Sequence, residues 1–345
     1  PGIAASHAAN TNATDNRPVV LVLVGKRLFV PCEIRDRSRH SCRGSRRLEE
    51  VTAIRLSLIC ACLLNSHGHP IVELRFNPWL PGSFQAPGSL LPDRKPPVWR
   101  LQVNTIPAID VHAHYGDYLR GDDALVDHWL SCSAQGVVER ARLQAGIELS
   151  IASPLAGLMP RGGSDPVTAN EEAAATVAGT EGLLQWVIVH PDVPRTFEQA
   201  ERMLTEEQCV GIKLHPEEHQ YPIREHGAEM FELAARHDAV VLVHSGDPLS
   251  LPVDFLPWAD EFPGITLLLA HLGNGGGAAG DPTLQVRTIQ ASRHGNVLVD
   301  TSSARSMLPG LVEWAVAEVG AEKILFGTDT PLYSVSMQRA RIDHA

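Results

Sequence analysis

The feature that most limits what this sequence can fold into is a recurrence. Short apolar runs return at nearly even intervals, and almost every run closes on a histidine or an aspartate. The runs are Ile106–His112, Ile147–Ala152, Leu184–His190, Val210–His215, Ala239–His244, Ile265–His271, Asn296–Asp300 and Lys323–Asp329. The residues closing the last six runs, from His190 to Asp329, are spaced by 25, 29, 27, 29 and 29 residues. That is the length of a strand, a helix and their connections. The runs are rich in Val, Ile and Leu with little polar alternation, as expected of strands covered on both faces. Helical patterns lie between them. Met230, Leu233 and Ala234 form one stripe; Leu311, Trp314, Ala315 and Val319 form another, with Gly320 placed as its C-cap. Thr196 and Gln199 have the spacing of a capping box.

Eight such units between residues 105 and 345 predict an α/β fold, a (β/α)8 TIM barrel, which takes roughly 250 residues. A doubly wound three-layer sheet is the alternative. It gives no reason for His and Asp at the strand ends, whereas a barrel gathers the C-terminal ends of all its strands at one face. Only 16 residues follow Asp329, so the last helix is expected to be truncated, with apolar barrel surface left bare.

Residues 1–104 have a different character. They carry 14 Lys+Arg and 7 Asp+Glu, against 15 and 33 in residues 105–345, so the net charge of −11 joins a basic segment to an acidic body. Six prolines fall between residues 78 and 97, and no apolar period is sustained. The expected organisation is an N-terminal extension at 1–104, poorly ordered or not native to the protein, and a catalytic barrel at 105–345. A small accessory domain is the third reading of the extension. An acidic body is a poor match for nucleic acid, and no run approaches the roughly 18 apolar residues of a membrane span. The six cysteines are scattered, with no CxxC pair, which points to a reducing, cytoplasmic setting.

The chemistry concentrates at the strand ends. In Asp110-Val111-His112-Ala113-His114, residues two apart on a strand point to one side, so His112 and His114 can aim at a single ion. His244 and His271 each close a run of four apolar residues, and a carboxylate ending a run, as Asp329 does, is costly to bury unless paired or metal-bound. Singly, each has a plainer reading as a hydrogen-bonded core histidine or a turn aspartate. Together on one rim, three neutral nitrogens and a carboxylate make a four-ligand set with room for water. Lys213 and His215 close the fourth run, where Lys213 is either part of the site or an ion-pair partner of Glu217 or Glu218. His190 reads as pocket lining, and Asp300 as a residue orienting a ligand. Arg161 lies in the loop after the second run.

The segments IDVHAH, GIKLHP, VLVHSG, LLAHLGNG and ILFGTDTP resemble the amidohydrolase superfamily, specifically its amidohydrolase-related (amidohydrolase 2) group. That group holds metal-dependent hydrolases and decarboxylases of the aminocarboxymuconate-semialdehyde type. The resemblance spans about 106–335. It implies His112, His114, His244 and Asp329 as metal ligands, with Asp329 and His271 catalytic. It also implies Lys213, His215 and His271 as residues for a second metal or the substrate, with Lys213 carboxylated if two ions are bound. The expected function is metal-dependent hydrolysis of an amide, lactone or ester-like bond in a small molecule, through a metal-activated water. Decarboxylation of an aromatic or unsaturated acid is the first alternative, and a truncated barrel without activity the second. Zinc is the expected ion. No nucleic-acid or membrane partner is expected, and a homo-oligomer is left open.

Overall fold

Strand follows strand in chain order. β1 is Ala108–Tyr115, β2 Ile147–Pro154, β3 Leu183–Ile188, β4 Cys209–Leu214, β5 Val240–Val243, β6 Thr266–Leu269, β7 Val297–Asp300 and β8 Ile324–Leu325. Each pairs in parallel with the next. The computed structural model describes residues 22–24, 27–29, 106–118, 124–159 and 165–345. β1 and β8 meet through a parallel bridge between Ala113 and Thr330. His114 N donates to Thr330 O (2.7 Å), Val111 N to Phe326 O (3.0 Å) and Asp329 N to His112 O (2.8 Å). The eight strands thus form the predicted (β/α)8 barrel.

The missing polar alternation follows from two apolar layers. Val240 and Leu242 pack inside the barrel with Val111, Ile151, Trp186 and Leu268. Their neighbours Val241 and Val243 pack outside, against Met230, Phe231 and Leu233 of the helix Ile223–Arg236. Trp186 crosses the interior, its Nε1 donating to Val111 O at 3.0 Å. Gly320 caps the helix Leu311–Val319 as expected, with φ 87°. The capping box at Thr196 and Gln199 does not form. Pro194 occupies the first turn of the helix Pro194–Met203 and sets its start at Val193. Thr196 Oγ1 instead takes the His190 amide (3.0 Å), and Gln199 Nε2 donates to Val167 O (2.8 Å).

A short helix follows β8. Val335–Asp343 forms nine residues of helix. Val335 packs with Ala141, Ala145 and Ile147, and Arg339 Nη1 donates to Ala145 O at 3.2 Å. Of the 1–104 extension, Val22–Val24 and Arg27–Phe29 form an antiparallel pair, and the other readings of that segment lie outside the described residues. Among the described residues no helix is long and apolar enough to cross a membrane.

Candidate metal centre

The strand ends deliver their side chains to the top of the barrel, and the backbone bends to do so. His271, two residues past β6, has φ 72°, and Asp329, four past β8, has φ 56°. Non-glycine residues in the left-handed region are uncommon and cluster at sites of function. Beneath them Asp110 joins β1 to the β8 end. Its Oδ1 accepts the amides of His112 (3.1 Å) and Thr328 (3.0 Å), and its Oδ2 accepts Thr328 Oγ1 (2.5 Å). Burial pushes the Asp110 carboxyl up to about 7. Gly327 gives the network room, since a Cβ there would lie 3.1 Å from Asp300 Cγ, His112 Cβ and Ser302 Cβ.

Partner chemistry fixes each imidazole. His112 Nδ1 faces Asp300 Oδ2 at 2.9 Å and Ser302 Oγ at 2.8 Å. His114 Nδ1 faces the Ser153 carbonyl at 3.2 Å, and His271 Nδ1 the Ser302 carbonyl at 2.8 Å. A carbonyl or carboxylate oxygen only accepts, so the Nδ1 of His112 and of His271 carries the proton and Nε2 a lone pair; His114, whose Nδ1 also lies 3.1 Å from Ser153 Oγ, takes the same form when its Nδ1–H is shared by the two Ser153 oxygens. Burial lowers the pKa of all three rings, that of His112 to about 3 with help from the Lys213 ammonium. All three are therefore neutral at pH 7.

Lone pairs therefore oppose one another. His112 Nε2 and His114 Nε2 are 3.1 Å apart, and Asp329 Oδ1 lies 3.0 Å from His114 Nε2 and 3.6 Å from His112 Nε2. In that form neither ring places a hydrogen between these atoms, and the donor facing them is the Lys213 ammonium, 2.9 Å from His112 Nε2. Two donors each about 2.1 Å from one ion in a tetrahedral arrangement stand about 3.4 Å apart. A divalent cation thus fits the donors in both charge and spacing. Ligand atoms of His112, His271 and Asp329, all buried, also lie within 4.8 Å of one another and can hold such an ion.

The sequence-predicted residues fall into three groups. His112, His114 and Asp329 come together directly. His271 joins them, with His244 one step further out, its Nδ1 at 3.0 Å from His271 Nε2. Lys213 is fully buried with Nζ at 2.9 Å from His112 Nε2. It thus belongs to the site, while Glu217, one of its suggested partners, accepts the Leu249 amide at 3.1 Å. Burial lowers the Lys213 ammonium to about 8. His215 stands at the edge. Its Nδ1 accepts the Glu218 amide (3.2 Å), and its ring stacks on His244 at 4.2 Å. His190 stacks instead on His219, at 4.5 Å. Arg161 lies outside the described residues.

Asp300 holds one of the imidazoles in place. It binds the His112 ring, and its Oδ1 accepts the amides of His271 (3.1 Å) and Ser302 (2.9 Å). Burial pushes its carboxyl up, yet His112, His271 and Ser302 outweigh that and hold it well below the usual range. Four supporting residues escaped the sequence reading. Ser302 touches the Nδ1 atoms of both His112 and His271 (2.8 and 3.0 Å). Ser153 holds His114, Asp247 holds His244 Nε2 at 2.6 Å, and Asn274 holds Asp247 at 3.2 Å. The one signal available was spacing, since Ser302 follows Asp300 by two positions and Asp247 follows His244 by three.

Comparison with known proteins agrees with the fold. The family model described as Amidohydrolase matches residues 109–344. Among solved structures, 2,6-dihydroxybenzoate decarboxylase from Rhizobium is similar at 15% identity and TM-score 0.52, over 69% of this chain and 92% of that one. 5-Carboxyvanillate decarboxylase from Sphingomonas paucimobilis matches at 15% identity and TM-score 0.51, over 70% and 93%. A dihydroxybenzoic acid decarboxylase from Polaromonas sp. JS666, with bound manganese and 2-nitroresorcinol, matches at 17% and TM-score 0.52, over 70% and 90%. A search of curated proteins gave no match.

Proposed function

The chain belongs to the amidohydrolase family, and from that premise we propose that it is a metal-dependent lyase removing CO2 from a small, hydroxylated aromatic acid. The observation that carries the metal dependence is the meeting of three lone-pair atoms, on His112, His114 and Asp329, at 3.0–3.6 Å. The choice of decarboxylation over hydrolysis is supported by the similar structures, several of which are decarboxylases of such acids. His112, His114 and Asp329 would hold the ion, with His271 and His244 completing the set. Nitrogen donors with one carboxylate suit zinc, and the manganese in one similar structure makes that ion the second candidate.

When bound, the ion supplies positive charge that polarises a substrate oxygen. The protein's own groups handle protons. His271, its Nδ1–H fixed on Ser302 O, presents Nε2 to the site and can carry a proton to the ring carbon that loses CO2. Asp329 as the carboxylate can take the proton that the substrate hydroxyl loses on binding and pass it through His271 Nε2 to that carbon, so the proton given to the ring is the one the hydroxyl released. The buried rings and the apolar barrel beneath them exclude water from the lower face.

Hydrolysis is the second reading, favoured by Lys213. Its buried amine beside His112 is placed for the two-ion arrangement that a carboxylated lysine would bridge. The deciding experiment loads the full chain with zinc or manganese. Hydroxybenzoates are then assayed for CO2 release, and aryl esters, lactones and amides for hydrolysis. Metal-dependent release of CO2, lost in a His112→Ala/His114→Ala double variant, is expected. Turnover of esters, lactones or amides with no CO2 from any acid would overturn the lyase reading in favour of hydrolysis.

A further inference from the structure

We propose that Asp247 is a positioning residue that fixes the His244 imidazole in the form bearing its proton on Nε2, and that Asn274 and Gly276 of the loop after β6 hold Asp247 there. The inference rests on the metal-dependent reading of the site and adds a residue to it.

Asp247 Oδ2 lies 2.6 Å from His244 Nε2. A carboxylate only accepts, so the ring proton sits on Nε2 and the Nδ1 lone pair is turned to His271 Nε2 at 3.0 Å. His271 Nε2 carries a lone pair as well, because its Nδ1 donates to Ser302 O. The His244–His271 contact therefore repeats the opposition of lone pairs seen at His112 and His114. It arises only while Asp247 holds the ring. With the proton on Nδ1, His244 would donate to His271 and withdraw both nitrogens from an ion.

The loop after β6 is shaped around this carboxylate. Asn274 Nδ2 donates to Asp247 Oδ2 (3.2 Å) and to Ser245 O (2.9 Å), tying it to the β5 end. Gly277 N donates to Gly246 O at 2.8 Å, bringing the two loops into contact. A Cβ on Gly276 would run into Asp247 Oδ1, so any larger residue there would displace the carboxylate. This accounts for Gly276 and Gly277, whose Cβ atoms would meet Asp247, while Gly273 and Gly275 make room for Leu311 and Asp281; the run matches no phosphate-binding motif.

The test reads His244 directly, by long-range 1H–15N correlation of the imidazole in the full, 15N-His-labelled chain, stripped of metal and then zinc-loaded. The His244 signals are assigned by their loss in His244→Gln. In the stripped wild type a single Nε2–H form is expected. Asp247→Ala should give a mixture of both forms, and Asn274→Ala a partial shift toward it. Asp247→Asn should restore the wild-type form, because its side-chain oxygen can take the same place between His244 Nε2 and Asn274 Nδ2. The zinc Kd should rise about 10- to 100-fold in Asp247→Ala. A wild-type His244 protonated on Nδ1, or an unchanged ring in a folded Asp247→Ala, would overturn the proposal. A chain that takes up no zinc yet shows this tautomer pattern would leave the positioning role standing and remove the metal-dependent reading instead.

Discussion

His112 and His244 present comparable lone pairs to the same site, but their supports differ. His112 stands on a strand, and Asp300, itself on β7 and fully buried, holds its ring. His244 stands one residue past β5. Its ring is held by Asp247, whose side chain is 28% exposed and borne on a loop. The β7–β8–β1 half of the site is built into the barrel wall, whereas the β5–β6 half is assembled from connections. In the first half, what orients the imidazole also holds the fold together. In the second, the imidazole can be released with little cost to the barrel. Loops are free to carry function because the scaffold beneath them is fixed.

The most disruptive test of this contrast is Asp300→Ala. It strips the buried amides of His271 and Ser302 and the His112 ring of their acceptor. A loss of about 3–5 kcal/mol in urea denaturation is expected. A loss below ~1 kcal/mol would mean that the strand-built half is no more integral than the other. The next effect concerns pH. His219, on the short helix after β4, has its pKa lowered from 6.5 to about 4, chiefly by burial. As pH falls, the unfolded chain takes up this proton near 6.5, while the folded chain resists until about 4. The stability is therefore whole above pH 6.5 and is lost progressively between 6.5 and 4. His219→Gln should remove about 2 kcal/mol of the stability difference between pH 8 and pH 5; an unaltered difference would contradict the assignment.

Asp247→Ala should then change the unfolding free energy by no more than ~1 kcal/mol, because the carboxylate is partly exposed. A loss comparable to that of Asp300→Ala would erase the distinction between the halves. Outside both, Arg236 pairs with Glu201 across exposed helix surface. Arg236→Ala should shift the urea midpoint by an amount equivalent to ~0–1 kcal/mol.

The barrel was legible because each strand is covered on both faces, which leaves an apolar run in the sequence whichever way a side chain points. His112 and His114 were legible because strand geometry alone puts residues two apart on one side. Asp300 and Asp329 announced themselves as carboxylates in apolar company. What supports these groups was not legible, since it comes from far along the chain or from turns. Ser302 reaches His112 across 190 positions, and Ser153 reaches His114 across 39. Asp247, in His244-Ser245-Gly246-Asp247-Pro248, has the composition of an ordinary turn. His215 looked like a ligand, yet Pro216 at the first helical position makes its ring the N-cap of Pro216–His219.

The claim on which the rest depends is that His112, His114 and Asp329 together hold a divalent cation. Elemental mass spectrometry of the purified full chain, beside the His112→Ala/His114→Ala variant, measures this directly. At least one equivalent of a divalent transition metal per chain in the wild type, lost in a folded double variant, is the predicted result. A folded wild-type chain that takes up no metal, even after reconstitution with zinc and with manganese, would contradict it.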